Sequence, residues 1–319
     1  MVNPNARGVD AALVRRLRAI VAPDALFVSG SLAEMAHIAR WIVHRRFDVV
    51  LCGGGDGTFT RCVSEVRALT RAAPAFGVLR LGTGNALADT LAAPSPTAEG
   101  LSSTLRRAER SDSQREISLL RVGDRLAPFA GFGADALILQ DFNRVRTRLA
   151  RTPLRFLGQG VVGYVVALLA RSLWRLLFQR RPYLTIRNTG AAAWRLDAAG
   201  RPVGRPIRRG AILYEGPAIL AAASTIPHYG FGFRLFPHAD PQRRRFQLRV
   251  LNGSVLATLA RLPAFCRGEL VDRRTFDFTC SAVTIEAREP TAFQIGGDEA
   301  GTRTGATLSV DGVRAIWCD

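Results

Sequence analysis

Through the first third of the chain, short apolar runs alternate with stretches whose apolar residues recur at helical spacing. Residues 48–52 (DVVLC) read as a buried strand, and Phe59, Cys62, Val63, Val66 and Leu69 then fall on one face of a helix. Residues 25–29 (ALFVS) predict a preceding strand, and 32–44 an amphipathic helix leading into it. Ahead of these, residues 2–6 read as a stub of a first strand, or as the remnant of one that starts upstream; Leu13, Val14, Leu17, Ile20 and Val21 give the next helix its buried face. Residues 76–81 form one more apolar strand, followed by a helix through Ala86, Leu87, Ala88 and Leu91. Strands alternating with helices predict an α/β domain built on a parallel sheet.

From residue 183 onward the period changes to two. YLTIR, AAWRL, AILYE, GFRLF, FQLRV, TFDFT, AVTIEA, FQIGG and ATLSV are short alternating runs separated by turns. That pattern predicts an antiparallel β-sandwich as a second domain. The division is expected near residues 121–124, giving domains 1–122 and 123–319. Between the two patterns, 154–178 reads as an apolar helix whose charge-free centre is too short to span a bilayer, which takes about 20 residues. Arg171, Arg175 and Trp174, with Arg180 and Arg181 after them, suit a helix lying in a headgroup layer; a helix buried between the domains is the other reading.

Two glycine-rich turns stand where strands run into helices. The first is Gly53, Gly54, Gly55, Asp56, Gly57 and Thr58; the second is Gly82, Thr83, Gly84 and Asn85. Glycine lets backbone N–H groups approach an anion with no Cβ in the way, and a helix N-terminus adds partial positive charge. In an open parallel sheet, ligands collect beyond the carboxyl ends of the strands, so Ser29, the first turn and the second should converge.

Composition narrows the chemistry. The 319 residues carry a net charge of +18, and every base among the 44 is arginine. Without lysine no Walker A loop is available, so phosphate must be met by backbone N–H, hydroxyl, arginine or metal. Aromatics are not interleaved with the arginines and no reading helix is visible, so nucleic acid is not the expected partner. The five cysteines (Cys52, Cys62, Cys266, Cys280, Cys318) lack CxxC spacing and read as reduced core residues. His37, His44, His228 and His238 have no partner at metal spacing, no G-x-S-x-G elbow appears, and no apolar leader is visible.

GGGDGT followed by LGTGN one strand later, with NPNA upstream, resembles the diacylglycerol kinase catalytic domain and its bacterial lipid kinase relatives. AGFGADA at 130–136 and Pro237-His238-Ala239 extend the resemblance into the second half. It implies a phosphofructokinase-like nucleotide-binding domain beside the sandwich and transfer of the ATP γ-phosphate to a lipid hydroxyl. Asn3, Ser29, Gly54, Gly55, Asp56, Gly57, Thr58, Gly82, Thr83 and Asn85 would contact ATP, and Asp56 would hold Mg2+. The base that takes the hydroxyl proton would be Asp298, with Glu299 the alternative should the turn be one residue longer. The implied setting is cytoplasmic, against an anionic membrane surface on its inner face; a homodimer is left open.

The match also departs from the pattern. Arg243, Arg244 and Gln247 stand where many relatives carry an ion-binding loop, and GNALA at 84–88 looks more like the sphingosine and ceramide kinases. A sphingoid-base or ceramide acceptor, a catalytically silent lipid or nucleotide binder and, further off, an NAD kinase-like activity are the competing expectations.

Overall fold

The computed structural model describes every residue except 7, 83, 151, 153–159, 230–232, 262, 265–266, 270–273 and 319, and only the backbone of 111, 160, 161 and 164. The first half runs α1 (Ala11–Ile20), α2 (Leu32–His44), β1 (Val49–Gly54), α3 (Asp56–Leu69), β2 (Ala75–Arg80), α4 (Ala86–Thr90) and α5 (Ala98–Ala108). Strands β1 and β2 are parallel, with Cys52 opposite Val78. Val2 forms parallel bridges to both Gly53 and Val28, so the first two expected strands survive as single bridges. The strand read over 25–29 is not formed. Pro23–Ala25 makes a 3-10 turn instead, and Val28 lies at the rim of the sheet, 41% exposed. Phe59, Cys62, Val63 and Val66 are fully buried against the sheet, as their spacing requires. Leu69 and Ile20, each the last residue of its helix, are about half exposed rather than part of the core (49% and 50%).

The second half contains β3 (Gln114–Val122), β4 (Arg125–Ala127), β5 (Phe129–Gly133), α6 (Ala134–Leu149), α7 (Gly160–Ala167), a π turn (Leu168–Ser172) and α8 (Leu173–Phe178). There follow β6 (Tyr183–Asn188), β7 (Ala193–Leu196), β8 (Pro202–Ile207), β9 (Ile212–Pro217), β10 (Leu220–Ser224), β11 (Phe246–Leu251), α9 (Val255–Ala260), β12 (Thr275–Cys280), β13 (Ala282–Ile295) and β14 (Asp298–Ile316). Pairing in this half is antiparallel, around a core that includes Phe132, Ile186, Leu248, Phe278, Ile285 and Phe293.

β14 joins the halves. Its first residues pair with β13, its later ones with β3, and Ala315 pairs in parallel with Phe76 of β2. Among the described residues the strands thus form one hydrogen-bonded sheet, parallel at one end and antiparallel at the other.

The run GFRLF is not a strand over its described residues. The Leu235 carbonyl accepts from Arg249 Nη1 at 2.6 Å, and the Phe236 N–H donates to the Pro227 carbonyl at 3.2 Å, so loop and side-chain bonds replace a ladder. Arg249 is 1% exposed and forms a bidentate pair with Asp277 at 2.8 Å on both oxygens. Gln247 also donates to Asp277 and accepts from the His238 N–H. Arg243 and Arg244, at the positions of the relatives' ion loop, pair with Asp240 and Glu116.

Residues 154–159 of the apolar helix lie outside the described residues; 160–178 are helical. No helix among the described residues is long and apolar enough to cross a membrane. Cys52, Cys62 and Cys280 are buried free thiols, Cys318 is half-buried, and Cys266 is outside the described residues. Burial pushes the Cys280 thiol up to about 12.

Candidate active site at the glycine loops

The two glycine turns are packed directly on each other. A Cβ on Gly82 would stand 2.2 Å from the Gly55 Cα and 2.8 Å from its nitrogen, a clash with backbone that no side-chain movement relieves. The second turn is closed by Asn85, in the left-handed conformation at φ 50°. Its side chain accepts from the Gly82 N–H at 3.0 Å and donates to the Gly82 carbonyl at 2.8 Å. Asp56 then latches one turn to the other. Its two oxygens accept from the Ala86 and Leu87 N–H groups, each at 2.9 Å, at the start of α4. Burial raises the Asp56 pKa, and those two N–H bonds oppose the rise.

The first turn is also tied to the residues upstream. Gly54 has no Cβ where the Thr58 side chain lies (Oγ1 would be 2.4 Å away), and Thr58 Oγ1 accepts from Asn3 Nδ2 at 3.1 Å. The Asn3 N–H donates to the Gly53 carbonyl, and the Ser29 N–H to the Val2 carbonyl. Ser29 is buried and its hydroxyl donates to the Ser31 carbonyl at 3.1 Å, within its own turn. Asn3, Ser29, Gly54, Gly55, Asp56, Gly57, Thr58, Gly82 and Asn85 therefore cluster at one edge of the sheet; Thr83 lies outside the described residues. At the centre is the N-terminus of α3, a helix of 14 residues that no side chain caps. Its first N–H groups have no helical partner, and they face the side where an anion would be favoured.

The opposite wall comes from the β13–β14 hairpin. Gly296 and Gly297 have φ of 60° and 83°, the two positive values that a two-residue turn of the mirror-image kind requires. Ile295 and Asp298 pair across it. The turn is pinned from three directions. The Gly296 N–H donates to the Phe129 carbonyl at 2.8 Å, the Gly297 N–H to Gln294 Oε1 at 3.0 Å, and a Cβ on Gly296 would meet Thr60 of α3 at 3.0 Å.

This brings the Asp298 carboxylate to α3: Oδ1 lies 3.2 Å from the place a Gly57 Cβ would take, and Oδ2 accepts from Arg125 Nη2 at 2.7 Å. Glu299, the next residue on an alternating strand, is directed elsewhere. It accepts from Asn143 Nδ2 of α6 at 3.2 Å and is exposed.

Four side chains around the turn were not singled out as site residues from sequence. Arg125 carried no motif. Asp135, Tyr229 and Gln294 form a network beneath the turn, in which Tyr229 donates to Asp135 Oδ2 and Gln294 Nε2 donates to the same oxygen at 3.1 Å. Burial raises the Asp135 pKa, and its Oδ1 is buried without a hydrogen-bond partner. The available signals were the carboxylate in AGFGADA and the amide in FQIGG, both inside segments already notable for their glycines.

Among the described residues no group of three acidic, histidine or cysteine side chains could hold a metal unaided. Each Asp56 oxygen accepts one N–H and keeps a second lone pair, and Asp298 is half exposed beside the neighbouring Gly57. That donor set suits an ion shared with phosphate oxygens, the usual manner of magnesium.

No curated protein sequence matches the chain. By structure the chain is similar to a diacylglycerol kinase from Bacillus anthracis str. Sterne. The TM-score is 0.67 at 16% identity, over 99% of this chain and 95% of that one. A second Bacillus anthracis protein, provisionally named a diacylglycerol kinase, matches with TM-score 0.67 at 17% identity and the same coverage. These likenesses establish a shared fold across both halves. The sequence model that matches is described as the diacylglycerol kinase catalytic domain and takes in Asn3, both glycine turns and Asp56. The match covers residues 1–116, and this stretch, which carries both turns, is similar to the diacylglycerol kinase catalytic domain.

Proposed function

We propose that the protein is a lipid kinase that moves the γ-phosphate of ATP to a hydroxyl of a membrane lipid of the diacylglycerol kind. The observation that carries this reading is the position of the Asp298 carboxylate against the uncapped start of α3, where the first glycine turn enters the helix and the second turn packs on it. Phosphoryl transfer asks for a cradle for the donor, positive charge on the moving phosphate, and an acceptor for the hydroxyl proton. Backbone N–H groups of Gly55, Asp56 and Gly57 make the cradle, with the second turn packed against them to hold its shape. Asp298, oriented by Arg125, takes the proton as the lipid oxygen bonds to phosphorus and the bond to ADP breaks. Magnesium bound with ATP would neutralise phosphate charge, with Asp56 and Asp298 as the carboxylates able to hold it.

A sphingoid-base or ceramide acceptor is the second reading, favoured by Ala86 in GNALA. Incubating the protein with radiolabelled ATP and a total-lipid extract decides between enzyme and silent binder: label in the organic phase is expected, and chromatography of the product names the acceptor. Absence of label under conditions where ATP binds would leave a binding protein only.

The cradle makes a separate prediction. Gly82→Ala forces the turns apart and is expected to weaken ATP binding by about tenfold or more, measured by calorimetry on a variant shown to be folded, and to lower the melting temperature as well, because the added methyl meets half-buried backbone. Affinity unchanged within about twofold would mean the turns do not hold the nucleotide.

A further inference from the structure

The helical segment 160–178 turns an apolar stripe outward. Val162, Val165, Leu169, Trp174 and Phe178 are between 47% and 77% exposed. The steps along the stripe are three, four, five and four residues. The five-residue step from Leu169 to Trp174 spans the π turn, Leu168–Ser172, and its wider winding keeps Trp174 on the face that an unbroken α-helix would have rotated away. Trp174 and Phe178 stack at 5.7 Å with rings 8° apart, forming one flat apolar end.

The inner face explains why the arginines do not interrupt this stripe. Arg171 and Arg175, together with Arg144 of α6, converge on Asp141, which is fully buried, and Ser172 donates to the same carboxylate at 3.0 Å. The two helix arginines are thus anchored inward rather than spread in a headgroup layer. The apolar inner contact is Ala167 on Leu139 and Phe142.

Positive charge is dense in this part of the chain. Residues 142–181 contain nine arginines and no acid. Arg146 and Arg148 on α6 and Arg180 after α8 are exposed and stand outside the Asp141 cluster. A tryptophan and large aliphatic side chains exposed on one helix, in a stretch of chain rich in arginine and free of acid, match the headgroup boundary of an anionic bilayer. A second copy of this chain fits poorly, because a two-fold contact would bring each arginine cluster against its own image.

We propose that the outer face of 160–178 docks on an anionic lipid bilayer. The inference extends the lipid-kinase reading and rests on it for the purpose of docking. α6, on which this segment packs, begins at Ala134 beside the site and bonds the β13–β14 hairpin through Gln140 to the Gly301 carbonyl and Asn143 to Glu299. A docked helix therefore holds the Asp298 turn near the lipid surface.

The test is flotation of the full chain with phosphatidylcholine vesicles and with vesicles containing about one quarter phosphatidylglycerol. The wild type is expected to bind the anionic vesicles, more weakly as salt rises. The double variant Trp174→Ser, Phe178→Ser is expected to lose about tenfold or more in apparent affinity. Both positions are exposed, so an unchanged thermal melt shows that the variant is folded; a variant that fails this check is replaced by Val165→Ser, Leu169→Ser. Equal binding by wild type and a folded variant, or no binding by wild type, overturns the proposal. So does a wild-type dimer in sedimentation equilibrium that the substitutions convert to monomer, since that assigns the face to a second copy. Transfer to a short-chain soluble diacylglycerol is measured alongside. Vesicle binding without any phosphate transfer would remove the kinase reading and leave docking intact.

Discussion

Asp298→Asn is expected to lower kcat by about 10²- to 10⁴-fold, the range spanned by loss of a positioned proton acceptor, with KM for ATP changed by less than about threefold. The amide keeps the size of the side chain and can still accept from Arg125 Nη2, so the turn and the cradle stay in place while the proton loses its destination. Glu299→Gln is the internal control. That side chain meets Asn143 and solvent rather than α3, so turnover within about threefold of wild type is expected. Steady-state kinetics on a lipid acceptor in mixed micelles measure both. Full activity in the Asp298 variant, or equal loss in the two, would move the base away from this turn.

Asp277→Asn is expected to cost about 3 kcal/mol of stability, toward the upper end of single substitutions, and to shift the urea midpoint accordingly. Arg249 is among the largest fully buried side chains, and Asp277 is its only carboxylate partner among the described ion pairs. The amide leaves a guanidinium charge in the core with a neutral neighbour. Arg249→Met combined with Asp277→Leu removes both charges together and is expected to recover part of that loss, the remainder reflecting Gln247 Nε2 and the Leu235 carbonyl, which lose their partners. A single-variant cost below about 1 kcal/mol would mean that water reaches the pair.

Sequence patterns carried the parts of the fold in which one face of an element is buried. Phe59, Cys62, Val63 and Val66 recur at helical spacing because α3 lies on the sheet, and the glycine turns are legible because no other residue fits where two backbones meet at 2.2 Å from a virtual Cβ. Elements whose side chains are buried all round, such as β5 (FAGFG) and β10 (LAAAS), show no alternation and are not distinguished as strands. GFRLF alternates for a different reason. Leu235 and Phe236 are buried from a loop whose carbonyl is held by a side chain remote in sequence. The pairing of Arg171 and Arg175 is hidden for the same reason, since their partner Asp141 is thirty residues or more upstream and invisible to local spacing.

The site shows the same boundary. Asp298 and the two turns could be named from short motifs, whereas Arg125 and the Asp135–Tyr229–Gln294 network arise from contacts across more than sixty positions.

Strand β14 opens on the candidate base and ends as the neighbour of β2, so a segment more than two hundred residues downstream supplies an interior lane of the sheet that β1 and β2 begin. During synthesis the flank of β2 waits uncovered for more than two hundred residues, a delay that favours late and cooperative closure over independent maturation of the two halves. The arrangement also means that one hydrogen-bonded strand ties the halves together, so any motion of one half against the other must bend this strand rather than swing freely about a linker.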